Sequence, residues 1–151
     1  EIKLTAGPFT NITATLDPKF LDIIISNLAS NAVRYTPSGG KVNIALSTNG
    51  KSVIIKVADT GLGIPKNEQP QIFSKFFRAT NILEKEPQGT GLGLYLTKSI
   101  VEMLGGKISF TSQENKSLRA NRRGTTFTVI LPRNGLKARP GAKGLIPMSL
   151  S

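Results

Sequence analysis

Apolar residues follow two different periods along the chain, and the change between them predicts the order of the elements. Alternating or β-branched runs predict strands at residues 9–16, 42–46, 53–57, 107–111 and 125–131. Apolar residues at helical spacing predict helices from residue 18 to just before Pro37 and over 91–104, and a short helix is expected over 66–77. We therefore expect an α+β fold, a two-layer α/β sandwich whose mixed, mostly antiparallel sheet of about five strands is covered on one face by about three helices.

Capping and turn residues set the expected boundaries. Asp17-Pro18 is a helix start, Asn49-Gly50 is a hairpin turn, and Gly105-Gly106 ends the last helix. Residues 78–90 carry few apolar positions and predict a mobile loop. The pattern stops at Pro132, so we expect one domain over residues 1–132, with its core at about 10–132, and a basic, disordered tail over 133–151.

The composition of the chain excludes some kinds of site and favours certain ligands. The 151 residues include no cysteine and no histidine, which excludes a disulfide framework and a Cys/His zinc site. No apolar run approaches the roughly 18 residues of a membrane span. The net charge of +11 favours polyanions such as nucleic acid, acidic membrane or nucleotide phosphates. Much of this charge lies in two loop-like clusters that have no interleaved aromatic residues, which argues against nucleic-acid binding. The clusters are Lys116, Arg119, Arg122 and Arg123, and Arg133, Lys137, Arg139 and Lys143.

Polar residues form a stripe on the first predicted helix. Asn27, Asn31 and Tyr35 are four residues apart and share one face, with Arg34 beside them. The amides could face solvent or cap a neighbouring loop. Alternatively they face a ligand, and an amide oxygen suits Mg²⁺, which prefers oxygen and usually bridges to phosphate.

Two glycine-rich segments are the other candidates. Residues 59–65 follow a strand, where the Asp59 carboxylate could accept a hydrogen bond from an exocyclic amine or only bond local amides. Residues 89–94 lead into a helix, whose free N–H groups could bind phosphate, although a flexible hinge is equally open. This second segment lacks the Gly-Lys-Ser/Thr of a P-loop and the preceding strand of a dinucleotide-binding fingerprint.

In this order the segments resemble the histidine-kinase branch of the superfamily that also holds DNA gyrase, the MutL repair proteins and the large ATP-driven heat-shock chaperones. Residues 27–37 (NLASNAVRYTP) resemble its N box, 59–64 (DTGLGI) its G1 box, 72–78 (IFSKFFR) its F box and 89–94 (GTGLGL) its G2 box. Residues 124–127 (GTTF) resemble its last strand motif. The resemblance covers roughly residues 10–132.

The resemblance implies the ligands ATP and Mg²⁺ and a role for each matching residue. It implies that Asn31 binds the metal and that Asp59 accepts a hydrogen bond from the adenine amino group. It also implies that Tyr35 packs on the adenine and that Arg34 reaches toward the phosphates. Asn27 stands where the gyrase and chaperone branches carry a catalytic Glu, and an amide cannot act as a base. The remaining implied positions are the adenine pocket at Gly61, Gly63 and Ile64, the phosphate loop at Thr90, Gly91, Leu92, Gly93 and Leu94, and Thr125 or Thr126 near Asp59.

The resemblance also implies partners. A complete kinase carries a dimerisation domain with a phosphoacceptor histidine, which this chain does not contain. We therefore expect a monomeric fragment of a homodimeric, membrane-anchored sensor, located on the cytoplasmic side, that phosphorylates the histidine of that domain and thereby feeds a response regulator. An ATP lid is implied at residues 78–89, and Phe76 and Phe77 would pack at its base, contact the partner domain or belong to the core. A non-catalytic ATP-sensing module and a serine/threonine-directed kinase of the same superfamily remain open alternatives.

Overall fold

The structure is a computed structural model that describes residues 1–9, 12, 14, 16–83, 88–114 and 124–133. The elements in chain order are β1 Lys3–Phe9, α1 Pro18–Arg34, β2 Lys41–Thr48, β3 Ser52–Asp59, α2 Thr80–Leu83, α3 Gly93–Met103, β4 Lys107–Gln113 and β5 Gly124–Pro132. A 3₁₀ turn over Gln69–Gln71 lies between β3 and α2. In the described part of the chain, no helix is long and apolar enough to cross a membrane.

The five strands form one mixed sheet in the order β1-β2-β3-β5-β4. Among the described strands, only the β1–β2 pair is parallel, and the other three pairs are antiparallel. Burial alternates along β3 and β5, with Val53, Ile55 and Val57 facing the same layer as Val129 and Leu131. Helices α1 and α3 pack beside each other on that face, so the predicted two-layer α+β architecture is confirmed.

Helix α1 has the ends that its sequence predicts. The Asp17 side chain caps the first turn by accepting a hydrogen bond from the Lys19 N–H at 2.9 Å, and Pro18 occupies the first helical position. The helix ends at Arg34, before Pro37. Its buried residues Ile24 and Leu28 are fully enclosed between the sheet and α3. At about 1.5–3 kcal/mol for each buried aliphatic side chain, this face holds α1 on the sheet.

The β2–β3 hairpin and the last strand pair are also confirmed. Asn49 Oδ1 accepts hydrogen bonds from the N–H groups of Lys51 and Ser52 at 3.2 and 2.9 Å, which closes the turn and fixes the antiparallel register. Helix α3 and strands β4 and β5 fall within two residues of their predicted bounds. The polar loop between β4 and β5, with its basic cluster, lies outside the described residues, as do residues 134–151 of the predicted tail.

The first predicted strand is wrong. The strand is Lys3–Phe9, and described positions 12, 14 and 16 belong to no strand. A Gly-Pro pair argues against a strand at residues 7–8, yet it lies at a register shift on the edge strand, where such irregularity is tolerated. The alternation at Ile12, Ala14 and Leu16 still marks real burial, because these side chains pack on the core without a strand.

The predicted helix at residues 66–77 is wrong as well. Apart from the 3₁₀ turn at Gln69–Gln71, the segment consists of turns. Pro70 lacks the N–H that a longer helix needs, and the Gln69 side chain donates to the carbonyls of Ile64 and Ser112 at 3.1 and 3.3 Å. The short helix α2 lies instead in the segment that was predicted to be a loop, whose residues 84–87 are outside the described part.

Candidate functional site

A cleft lies between α1, the loop after β3, the start of α3 and the segment around α2. Its wider part has a volume of about 230 Å³ and its narrower part about 50 Å³. The two parts adjoin, because Asn31, Tyr35, Ile64, Ile82 and Leu94 line both. The cleft therefore joins all the sequence segments that were expected to carry chemistry.

Asp59 lies at the narrow end, where β3 stops. Its Oδ1 accepts hydrogen bonds from the backbone N–H groups of Gly61 at 2.8 Å and Thr125 at 3.1 Å. Burial raises the pKa of this carboxyl above its usual value, and the Gly61 and Thr125 N–H bonds act in the opposite direction. Both bonds go to Oδ1, and among the described residues no donor reaches Oδ2. A half-buried carboxylate oxygen is thus available to a ligand.

A hydroxyl network supports Asp59 from the side of β5. The hydroxyls of Thr125 and Ser112 are 2.9 Å apart, and the Ser112 Oγ accepts a hydrogen bond from the Ile64 N–H at 2.9 Å. Thr125 is buried and lines the narrow part of the cleft. Thr126 is the next residue of the strand, so its side chain points to the opposite face of the sheet. Of the two candidates, only Thr125 faces the cleft.

The loop after β3 can take its path only with glycine at two places. A Cβ at Gly61 would overlap the carbonyl oxygen of Tyr35, and a Cβ at Gly63 would overlap that of Gln113. Gly63 also has a φ of 67°, a backbone conformation that other residues rarely adopt. Gly63 lines the cleft directly, whereas Gly61 shapes it by holding Asp59 and by its close approach to α1.

The polar stripe of α1 divides into two roles. Asn27 Nδ2 donates to the Gly93 carbonyl at 3.4 Å and to the Thr97 hydroxyl at 3.3 Å, which ties α1 to the first turn of α3. The Asn31 side chain lines both parts of the cleft and has no hydrogen-bond partner among the described residues. Arg34 and Tyr35 also line the cleft. Asn31 is consequently the amide left available for a ligand.

The start of α3 forms the far wall. Within the described residues no side chain caps this helix, and its first turn contains no acidic residue. The uncapped N–H groups and the helix dipole give this end a positive potential suited to an anion. Gly91 has a φ of 67°, and its carbonyl accepts the Phe76 N–H at 3.1 Å, which fixes the loop before the helix. Arg34 and Arg78 line the same wide part.

Most of the predicted residues line the cleft, and three do not. Those that line it are Asn27, Asn31, Arg34, Tyr35, Asp59, Gly63, Ile64, Thr90, Gly91, Gly93, Leu94 and Thr125. The three that do not are Gly61, Leu92 and Thr126. The lining also includes Ser30, Ile72, Ala79 and Ile82, which lie in the N box, the F box and the lid that the resemblance implied, although no individual role was assigned to them. Small and apolar wall residues carry no signal that separates a cleft from a core.

The three phenylalanines of the IFSKFFR segment have separate environments. Phe73 packs edge-on against Phe110 and Phe127, with ring centroids 5.9 and 6.5 Å apart. Phe77 lines the cleft and contacts the core. Phe76 is 71% exposed and has a φ of 62°, the only described residue other than glycine with a positive φ. A non-glycine residue with this backbone conformation is uncommon, and such residues cluster at functional sites.

The comparisons with known proteins agree with this geometry. Residues 16–135 match the model of the family described as histidine kinase-, DNA gyrase B- and HSP90-like ATPases. The circadian input-output histidine kinase CikA of Synechococcus elongatus is 42% identical over 120 residues, which is 80% of this chain and 15% of that protein. A mycobacterial sensor histidine kinase, MprB, superposes with a TM-score of 0.70 at 27% identity, covering 90% of this chain and 85% of the solved one.

Full-length ShkA, solved in complex with AMPPNP, superposes with a TM-score of 0.68 at 27% identity and covers 92% of this chain and 27% of that one. The fold and cleft define a nucleotide-binding domain. The chain belongs to the histidine kinase-, DNA gyrase B- and HSP90-like ATPase family, and its relatives identify it as the ATP-binding catalytic domain of a sensor histidine kinase. It spans one third or less of the length of the first curated relatives that it matches.

Proposed function

We propose that this domain holds Mg-ATP along the cleft, with adenine at Asp59 and the phosphates at the start of α3, and donates the γ-phosphoryl group to a histidine on a separate dimerisation domain. The observation that carries the proposal is the continuity of the cleft, because a half-buried carboxylate and an uncapped helix N-terminus line adjoining parts of it. A nucleotide needs an acceptor for its exocyclic amine at one end and N–H donors for its phosphates at the other.

At the adenine end, Asp59 Oδ2 would accept the hydrogen bond of the exocyclic amine. Tyr35, Ile64 and Leu94 would pack on the base, since all three line both parts of the cleft. Gly61 and Gly63 would allow the backbone of the loop to approach a flat ligand closely, because neither residue carries a side chain. Thr125 holds Oδ1 through its N–H, so that the other carboxylate oxygen stays oriented toward the base.

At the phosphate end, backbone N–H groups of Thr90, Gly91, Leu92, Gly93 and Leu94 would surround the phosphates, and Arg34 would add positive charge. Within the described residues no three His, Cys, Asp or Glu side chains form a metal-binding group. Mg²⁺ fits this site nevertheless, because it commonly takes one or two protein oxygens together with substrate phosphates and water. The Asn31 amide, which has no partner in the described part of the chain, would supply that oxygen, and the metal would neutralise phosphate charge.

The transfer itself requires a nucleophile from elsewhere, since this chain contains no histidine. A histidine ring nitrogen of the dimerisation domain would form a bond to the γ-phosphorus while the bond from that phosphorus to the β,γ-bridging oxygen breaks and ADP leaves. Asn27 cannot remove a proton from water, and its amide is engaged with α3. Hydrolysis is therefore disfavoured, and catalysis rests on positioning and charge neutralisation.

The proposed partners follow from that chemistry. The parent protein would be a homodimeric, membrane-anchored sensor with this domain on the cytoplasmic side, and a response regulator would receive the phosphoryl group from the histidine. The exposed ring of Phe76, whose backbone N–H donates to the Gly91 carbonyl, offers an apolar docking face beside the phosphate end. Lys75 stacks over the Tyr95 ring with its Nζ 4.9 Å from the centroid, which holds this segment against the first turns of α3.

The test is transfer from γ-labelled ATP to the separately produced dimerisation domain of the same parent protein, with that domain's phosphoacceptor histidine replaced by glutamine as the control. We expect label on the partner only with Mg²⁺, and at least tenfold slower labelling by Asn31→Ala. Wild-type domain that binds ATP and labels nothing would point to a non-catalytic ATP-sensing module. Equal ATP affinity with and without Mg²⁺ in the wild type would contradict the role of Asn31.

A further inference from the structure

Helix α2 is attached to the narrow end of the cleft through Asn81. The Asn81 Nδ2 donates to the carbonyl oxygen of Gly63 at 3.0 Å. Gly63 lines the narrow part, and Ile82, the residue next to Asn81, lines both parts. One hydrogen bond thus fixes an apolar wall residue relative to the loop that begins at Asp59.

The side-chain oxygen of Asn81 destabilises the folded domain. Asn81 Oδ1 is buried, and it has no hydrogen-bond partner in the part of the chain that the structure describes. A buried acceptor without a partner destabilises a protein, because it loses its hydrogen bonds to water on folding and gains none in return. Such a group in a folded domain calls for an explanation other than stability.

A second attachment lies one residue away. The N–H and hydroxyl of Thr80 donate to the two carboxylate oxygens of Glu68 at 2.9 and 2.7 Å. Glu68 adjoins Gln69, whose side chain binds the carbonyls of Ile64 and Ser112. Both attachments of α2 therefore lead to the loop that begins at Asp59. Asn81 binds Gly63 directly, and Glu68 adjoins Gln69, which binds Ile64.

We propose that Asn81 is a positioning residue for the adenine end of the cleft, holding Ile82 against the base through its hydrogen bond to Gly63. The inference rests on the proposed location of adenine at Asp59. It assigns the Asn81 amide a role in nucleotide affinity, exerted through Ile82, and no direct contact with the reacting phosphate.

The experiment is calorimetric titration of the domain with adenosine and with a non-hydrolysable ATP analogue, at a temperature where each variant is fully folded by circular dichroism. We expect Asn81→Ala to weaken both ligands at least fivefold and by the same factor. The matched control is Leu83→Ala in the same short helix, since Leu83 is 45% exposed and lines neither part of the cleft, and its affinities should stay within twofold of wild type. A loss under twofold for Asn81→Ala, or a loss for the ATP analogue alone, would overturn the proposal.

A double-mutant cycle separates positioning from general destabilisation. If Asn81 acts through Ile82, then Asn81→Ala added to Ile82→Ala weakens adenosine binding no more than twofold further. Fully additive losses would refute the role. Asp59→Asn in the same titrations distinguishes the two proposals: unchanged adenosine affinity there would contradict the adenine location itself, whereas loss at Asp59 with retention at Asn81 would contradict this inference alone.

Discussion

Replacing Asp59 with asparagine tests the adenine end with minimal disturbance of the fold. The amide oxygen of the introduced side chain can take the place of Oδ1 and keep both backbone hydrogen bonds, from Gly61 at 2.8 Å and Thr125 at 3.1 Å. The amide NH₂ then takes the place of Oδ2, so a donor faces the donor of the exocyclic amine. The change removes the ligand's acceptor while the protein's own contacts remain.

The magnitude follows from the lost bond. A hydrogen bond to a charged acceptor contributes about 1.5–3 kcal/mol, which corresponds to a loss of affinity of about 10- to 150-fold. The opposed donors add to this loss, so the lower figure is a minimum. Calorimetric titration with a non-hydrolysable ATP analogue measures the loss of affinity directly, and circular dichroism checks that the variant is folded.

The matched control is Asp22→Asn, because Asp22 is an exposed carboxylate on α1 that lines neither part of the cleft. It removes the same charge from the domain and should leave affinity unchanged. If Asp59→Asn stays within about threefold of wild type, or ~0.7 kcal/mol, Asp59 does not receive the adenine amine. A similar loss in both variants would instead trace the effect to overall charge.

Two further predictions concern pH and the docking face. Burial raises the pKa of Asp59 in the native state, so the unfolded chain releases this proton at a lower pH than the native protein does. The stability that the protonated group contributes is therefore lost as pH rises from 3.8, the pKa in the unfolded chain, through the native pKa. Urea titration of both proteins from about pH 4 to pH 7 should therefore show wild type losing stability relative to Asp59→Asn as pH rises. A gain in the relative stability of wild type over this range would contradict the buried carboxylate. Phe76→Gly removes the exposed ring where φ is 62°, so stability should stay within about 1 kcal/mol and ATP-analogue affinity should not change, while labelling of the histidine domain falls at least tenfold. Unimpaired labelling would exclude Phe76 from the docking face.

Local signals determined much of this domain. The Asp17-Pro18 cap, the Asn49-Gly50 turn and the four-residue spacing of Asn27, Asn31 and Tyr35 depend on neighbours in the chain, and each has the predicted outcome. The order of the glycine-rich segments likewise indicated a nucleotide site, through its resemblance to a known superfamily of ATP-binding proteins.

Tertiary structure decided what depends on distant partners. The parallel pairing of β1 with β2 places a Gly-Pro strand at the sheet edge, and the side-chain bonds of Gln69 accompany turns where a helix was expected. Asn27 and Asn31 are the same residue type on the same stripe, yet packing against α3 engages the first and leaves the second available. Sequence determined which groups this cleft could use. Packing decided which of them face it, because the environment of a side chain is set by residues far away in the chain.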